Sequence, residues 1–157
     1  PGDGLTAQVR AAGRYQLLLF NRQARFARPE TQGRWLEIAD SEQVERAVSS
    51  VRNVLPEGGT SLHTAFNFLS ELDSKPDNIF LVTDGLPTQG KSTPRKNTVS
   101  GPARLKHYRD ALKALPSGVP VNVVLSPMEG DPLAASEFWK LAQNTGGSFM
   151  APAKDWP

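Results

Sequence analysis

The sequence predicts a doubly wound α/β fold, in which a mostly parallel β-sheet has helices on both faces and an antiparallel strand at its edge. Its 157 residues are enough for one domain with a single core, and we expect residues 1–157 to form such a domain. The run from Ile79 to Val82 is apolar without alternation, which is typical of a central strand covered on both faces. Strand-like and helix-like segments then alternate to the end of the chain, as parallel sheets require.

The first half of the chain predicts strands followed by two helices. Residues 5–12 have the apolar spacing of a helix, residues 15–20 form an apolar strand, and residues 25–27 and 35–38 are shorter strand pieces. Asp40 begins the clearest helix, because an Asp or Ser cap followed by Gln43 satisfies amide groups at a helix start. The apolar residues of this helix lie on one face: Val44, Ala47, Val48, Val51 and Leu55.

A glycine-rich link at residues 57–61 leads into a second predicted helix, which ends before Pro76. After the strand at 79–82, residues 85–102 form a long polar loop, a feature that compact domains usually keep for function or leave disordered. A third helix follows at 105–115, then a strand at 119–125. Asp131 and Pro132 are typical of a helix start, and residues 148–150 predict a last short strand.

Composition limits the classes of function. A net charge of +2 is small for a nucleic-acid binder, so we expect a protein partner rather than nucleic acid. Positive charge is concentrated between Lys91 and Arg109, where it could steer an acidic partner. No apolar run is long enough to span a bilayer. The absence of cysteine fits an oxidising compartment without requiring one, which leaves the location open with a lean towards an extracytoplasmic or cell-envelope site.

One segment matches the phosphate-binding loop of nucleotide hydrolases, since residues 85–92 read G-x-x-x-x-G-K-S. A hydrolase using Lys91 and Ser92 is therefore an alternative function. The context that follows is unfavourable, because Pro94 and Pro102 lie where a helix should present its amide groups to the phosphates. Pro87 also removes one amide from the loop itself.

Evidence for other catalysis is weak. The chain has two histidines and no G-x-S-x-G elbow, so we predict a protein that is not an enzyme. The remaining pair of polar residues is Thr60, where a glycine-rich loop enters a helix, and Asp84, where a buried strand ends. In this fold both can face one crevice, and a hydroxyl with a carboxylate suits Mg²⁺ or another divalent cation.

The chain resembles the von Willebrand factor A domain. The resemblance rests on residues 58–62 (G-G-T-S-L), residues 79–87 (I-F-L-V-T-D-G-L-P) and residues 145–149 (T-G-G-S-F), which occur in the family's order. It implies a Rossmann-like fold with a metal-ion-dependent adhesion site. There Thr60 and Asp84 would hold the divalent cation and an acidic group of a partner protein would complete its coordination, in adhesion or scaffolding. The loop residues then expected to contact the partner are Gly59, Ser61, Gly85, Leu86 and Pro87.

The sequence departs from this family in one respect. The D-x-S-x-S motif of the family's first strand does not occur in the chain. That strand lies in the middle of the family's sheet, so we expect it upstream of Pro1 and the domain to be incomplete at its N-terminus. A metal-independent interaction domain of the same fold, binding through its basic loop, is a second alternative.

Overall fold

A computed structural model of the protein describes residues 13–52, 54, 58–92, 98–126 and 129–152. Within these ranges the protein is mixed α/β, with four α-helices, a three-stranded parallel sheet and two small antiparallel sheets. The chain divides into two compact units, Pro1–Gly58 and Gly59–Pro157. The helix expected at residues 5–12 lies outside the described residues.

The first unit contains four short strands: β1 (Arg14–Tyr15), β2 (Leu18–Phe20), β3 (Ala24–Phe26) and β4 (Leu36–Glu37). β1 pairs antiparallel with β4, and β2 pairs antiparallel with β3. The prediction of a single strand at 15–20 is therefore wrong. Tyr15 belongs to β1, which pairs with β4, and Leu18–Phe20 form β2, which pairs with β3. The Gln16 amide group donates to the carbonyls of Thr31 (3.1 Å) and Arg34 (2.7 Å), which separates the two ladders.

Helix α1 (Ser41–Arg52) begins as predicted. The backbone N–H of Gln43 donates to the Asp40 carboxylate at 3.1 Å, which confirms the expected cap. The expected apolar face is only partly buried, however. Ala47 is buried, whereas Val48 and Val51 are 46% and 38% exposed because the described residues do not cover that side of the helix.

The second unit alternates helices and strands as the sequence predicts. In chain order its elements are α2 (Leu62–Glu71), β5 (Ile79–Thr83), α3 (Gly101–Leu112), β6 (Val121–Leu125), α4 (Ala134–Thr145) and β7 (Phe149–Met150). The strands lie in the order β5-β6-β7, and both pairs are parallel. The predicted order of helices and strands in this unit is thus confirmed.

One face of the parallel sheet is packed against helices. The in-register pairs of β5 and β6 on this face are buried, as with Leu81 beside Val123. Tyr108 of α3 and Phe138 of α4 meet edge to face, with ring centroids 5.3 Å apart and an interplanar angle of 80°. These two rings and Phe66 of α2 are among the largest fully buried side chains.

The opposite face differs from the prediction. β5 lies at the edge of its sheet in the described part of the chain, not at its centre, and its residues alternate between buried and exposed. Phe80 and Val82 are 74% and 68% exposed. The apolar run at 79–82 predicts a strand with helices packed on both faces of its sheet. In the described part of the chain, helices pack on one face. A doubly wound sheet therefore stays a prediction.

The buried phenol of Tyr108 predicts alkaline sensitivity. Burial, and secondarily the charge of Glu137, raise the Tyr108 pKa well above its ordinary value of about 10. A raised pKa contributes stability that is fully present below pH ~10 and is lost as the pH rises further. In urea unfolding, Tyr108→Phe should cost about 1 kcal/mol at neutral pH, because the hydroxyl donates to the Glu137 carbonyl at 2.8 Å. The free energy of unfolding of the variant should also fall less at alkaline pH than that of the unsubstituted protein. An equal fall in both would contradict the assignment of the alkaline sensitivity to Tyr108.

None of the helices in the described ranges has the length and apolar character needed to span a bilayer.

Candidate functional site

The candidate site lies in the loops that follow the carboxyl ends of β5 and β6. Asp84 comes directly after β5 and is exposed. The Ser126 amide at the end of β6 donates to the Thr83 carbonyl at 2.9 Å, so the two strand ends stay together beyond the ladder. This is the edge where open parallel sheets bind ligands.

Thr60 lies in a loop that is hydrogen-bonded to the segment after Asp84. The Thr60 amide donates to the Thr88 hydroxyl at 2.9 Å, and the Thr60 carbonyl accepts from the amides of Thr88 and Gln89, both at 3.0 Å. Three hydrogen bonds thus join the loop that enters α2 to the loop that leaves β5. The structure brings together the two loops that carry Thr60 and Asp84, as the sequence predicts.

Neither candidate ligand side chain is engaged elsewhere in the described part of the chain. The Thr60 hydroxyl and the Asp84 carboxylate make no hydrogen bond or ion pair with another described residue. Thr60 is half-buried and Asp84 is exposed. Among the described residues, the Thr60 hydroxyl and the Asp84 carboxylate are therefore two unengaged oxygen groups on hydrogen-bonded loops.

Gly59 and Ser61, on either side of Thr60, hold its loop in place. A Cβ atom on Gly59 would collide with the side-chain amide of Gln89 and lie 2.8 Å from the Thr88 hydroxyl oxygen, so a larger residue here would displace both side chains. Ser61 caps α2 by accepting from the Thr64 amide at 3.3 Å. The Ser61 hydroxyl also donates to the Gly90 carbonyl at 2.9 Å.

A buried ion pair fixes the segment that follows Asp84. Asp131 Oδ2 accepts from the Leu86 amide at 2.7 Å and lies 2.9 Å from the Arg104 guanidinium. Arg104 also donates to the Leu86 carbonyl through Nε at 3.0 Å and Nη2 at 2.5 Å. The Arg104 and Asp131 side chains are 11% and 4% exposed. The backbone N–H and C=O groups of Leu86 are therefore both hydrogen-bonded, the first to Asp131 and the second to Arg104.

Sequence reasoning missed this ion pair. Asp131 was expected to cap a helix, but α4 begins at Ala134 and the Asp131 carboxylate turns to Leu86 instead. Leu86 and Asp131 are 45 positions apart, and a local pattern carries no information about that contact. The contact follows from the pairing of β5 with β6, which places the loops after these strands side by side.

Four of the five residues predicted to contact a partner are buried in this structure. Ser61, Gly85, Leu86 and Pro87 support the loop from inside, and their contact with a partner stays a prediction. Gly85 has no room for a side chain, because a Cβ atom there would lie 2.6 Å from Asp131 Oδ2. Gly59 is half-buried. Of the residues predicted for the cation and its partner, Asp84 is the one that is exposed in this structure.

The geometry gives no support to the phosphate-loop alternative. Such a loop binds phosphate through unpaired amide groups. Here the amides of Leu86, Thr88 and Gln89 already donate to protein oxygens, and Pro87 has none. Lys91 and Ser92 lie in a bend, and α3 begins at Gly101.

Thr60 and Asp84 could supply some, but not all, of the ligands that a divalent cation needs. A hydroxyl and a carboxylate are hard oxygen donors, which Mg²⁺ prefers, and Mg²⁺ commonly keeps several waters beside one or two carboxylates. The described residues contain no group of three or more His, Cys, Asp or Glu side chains able to hold a metal. Water and an external carboxylate would have to complete the coordination.

Comparisons with protein-family models, with curated proteins and with solved structures find no match for this chain.

Proposed function

We propose that this protein is a protein-binding module that engages an acidic group of its partner through a divalent cation held near Thr60 and Asp84. The observation that supports the proposal is the pairing by three hydrogen bonds of the loop that carries Thr60 with the loop that follows Asp84. The sequence resemblance to the von Willebrand factor A domain supports the same assignment. No catalytic role is proposed for any residue.

The architecture of the loops suits recognition more than turnover. The segment after Asp84 is anchored by a buried ion pair, and the Thr60 loop by a glycine contact and a helix cap. A rigid base of this kind lowers the entropy lost when a partner binds. A metal ion with free coordination positions would then select a carboxylate over neutral groups, because the carboxylate both ligates the ion and neutralises its charge.

A second candidate is the same binding surface acting without metal. The absence of a three-ligand group in the described part of the chain favours it. In that case an acidic partner would be attracted by the positive charge on and near α3, where Lys106 and Arg109 are exposed. The two candidates differ in one measurable property, the requirement for a divalent cation.

Isothermal titration with Mg²⁺ alone tests the proposal. We expect one weak site that is abolished by Asp84→Asn and weakened by Thr60→Val. Both changes preserve shape, and Thr60→Val keeps the backbone hydrogen bonds to Thr88 and Gln89. Circular dichroism should show that both variants remain folded.

Asp73→Asn is the matched control, because Asp73 is another exposed acid of the same unit. It should leave Mg²⁺ binding unchanged. Absence of any Mg²⁺ site, or a site that survives Asp84→Asn, would contradict the metal-dependent mode and favour the second candidate.

A further inference from the structure

A second feature of the same unit is a cleft of about 1010 Å³ beside α2 and α3. One side is lined by His63, Asn67 and Ser70 of α2, the other by Lys106, His107 and Asp110 of α3. Neither Thr60 nor Asp84 is among the residues that line it. We call it the basic cleft because four lysines line it: Lys75, Lys91, Lys106 and Lys113.

The charge of the basic cleft is unbalanced. Asp110 is the single carboxylate among its described lining residues, so the lysines leave three positive charges in excess. Lys106 and Lys113 both lie 2.7 Å from the Asp110 carboxylate. Hydrogen bonds from Lys106 and then Lys113 hold the Asp110 pKa well below its usual range, so Asp110 stays charged and competes with any acidic ligand for both ammonium groups.

The cleft also has a defined wall and an apolar part. The Gly90 backbone forms the wall: its carbonyl accepts from Ser61, and a Cβ atom on Gly90 would lie 2.8 Å from His107 Nδ1. Ala114 and Leu115, which are half-buried, give this cleft its apolar part, and the buried Pro116 and Val119 line it as well. A ligand that alternates acidic and apolar groups would match both features.

The lining favours a peptide over a nucleic acid. Single-stranded nucleic acids are bound by aromatic side chains that stack on the bases, with arginine assisting. No Phe, Tyr, Trp or Arg occurs among the described residues that line the cleft. Lysines beside aliphatic surface are instead suited to carboxylates and apolar side chains of a protein segment.

We propose that the basic cleft binds an acidic, partly apolar peptide segment of a partner protein, directly and without metal. This site is separate from the proposed cation site, so the two can be tested independently. Binding depends on salt, since the lysine side chains are exposed and their attraction is screened. It persists in the presence of a metal chelator and in Asp84→Asn.

The test uses fluorescence anisotropy with the full 157-residue chain in EDTA and a labelled peptide of alternating Glu and Leu. The double variant Lys106→Glu/Lys113→Glu should bind the peptide about tenfold more weakly. Asp110→Asn should bind it about threefold more tightly, because it removes the carboxylate that competes with the ligand. All substituted side chains are at least partly exposed, so the variants should fold.

The control is Arg25→Glu/Lys140→Glu, which changes the net charge equally at two exposed residues outside the cleft. It should change affinity much less than the cleft variant. Three results would overturn the proposal: equal weakening by the control, binding no stronger than that of a peptide with Gln in place of Glu, or tighter binding of a single-stranded oligonucleotide. Loss of binding in EDTA or in Asp84→Asn would assign the peptide to the cation site instead.

Discussion

Arg104→Ala is expected to lower the free energy of unfolding by about 3–5 kcal/mol. The guanidinium is the charged partner of Asp131, and both side chains are almost fully buried. Its removal leaves the Asp131 carboxylate in a low-dielectric environment, where the Leu86 amide is its remaining hydrogen-bond donor among the described residues. The Leu86 carbonyl loses two donors at the same time.

Urea unfolding followed by circular dichroism measures this loss. Arg109→Ala is the matched control, because Arg109 is an exposed arginine of the same helix, and its effect should stay within about 0.5 kcal/mol. Arg104→Ala should also disturb the loop after Asp84, so Mg²⁺ binding should weaken in the fraction that remains folded. A cost below about 1 kcal/mol would show that the ion pair is not a structural anchor.

Gly147→Ala is expected to cost about 3 kcal/mol or more. A Cβ atom at Gly147 would collide with the carbonyl carbon and oxygen of Val121 and lie 3.0 Å from its nitrogen. These are backbone atoms of β6, which cannot move without breaking the parallel ladder on both sides. The substitution therefore strains the contact between the end of α4 and the central strand.

The adjacent Gly146 provides the comparison. It has φ +74°, a left-handed conformation that ends α4, but a Cβ atom there would meet nothing within 4 Å. Gly146→Ala should cost about 1–2 kcal/mol, the usual penalty for alanine in this conformation. Thermal unfolding of the two variants compares the two effects: Gly147→Ala measures the cost of a collision with the Val121 backbone, and Gly146→Ala measures the cost of a left-handed alanine. Equal losses, or a larger loss at Gly146, would contradict the packing of Gly147 on β6.

The sequence predicts best those features that depend on neighbouring residues. The Asp40 cap, the helices of the second unit and the strands at 79–83 and 121–125 each follow from local patterns of capping and apolar spacing. The approach of the Thr60 and Asp84 loops is also predicted, because strand ends and helix starts meet at one edge of a parallel sheet. Hydrogen bonds join the Thr60 loop to Thr88 and Gln89 of the loop after β5, whereas the facing of the Thr60 and Asp84 side chains stays a prediction.

Features that depend on distant residues were missed. Leu86 and Pro87 look like exposed loop residues by sequence, but Arg104 and Asp131 draw the loop inward and bury both. The exposed face of β5 was missed for a similar reason. An apolar run indicates that both faces of a strand can be covered, but it does not indicate which segment of the chain covers each face. Phe80 and Val82 therefore remain accessible in the described part of the chain despite a strongly apolar strand.

Paramagnetic broadening by Mn²⁺ in the NMR spectrum of the amide-labelled protein tests the proposed cation site most directly. Broadening should appear first at the amides of residues 59–61 and 84–85, and Asp84→Asn should remove it. Uniform broadening would contradict a cation site formed by Thr60 and Asp84. So would broadening centred on the exposed acids of α1, Glu42 and Glu45.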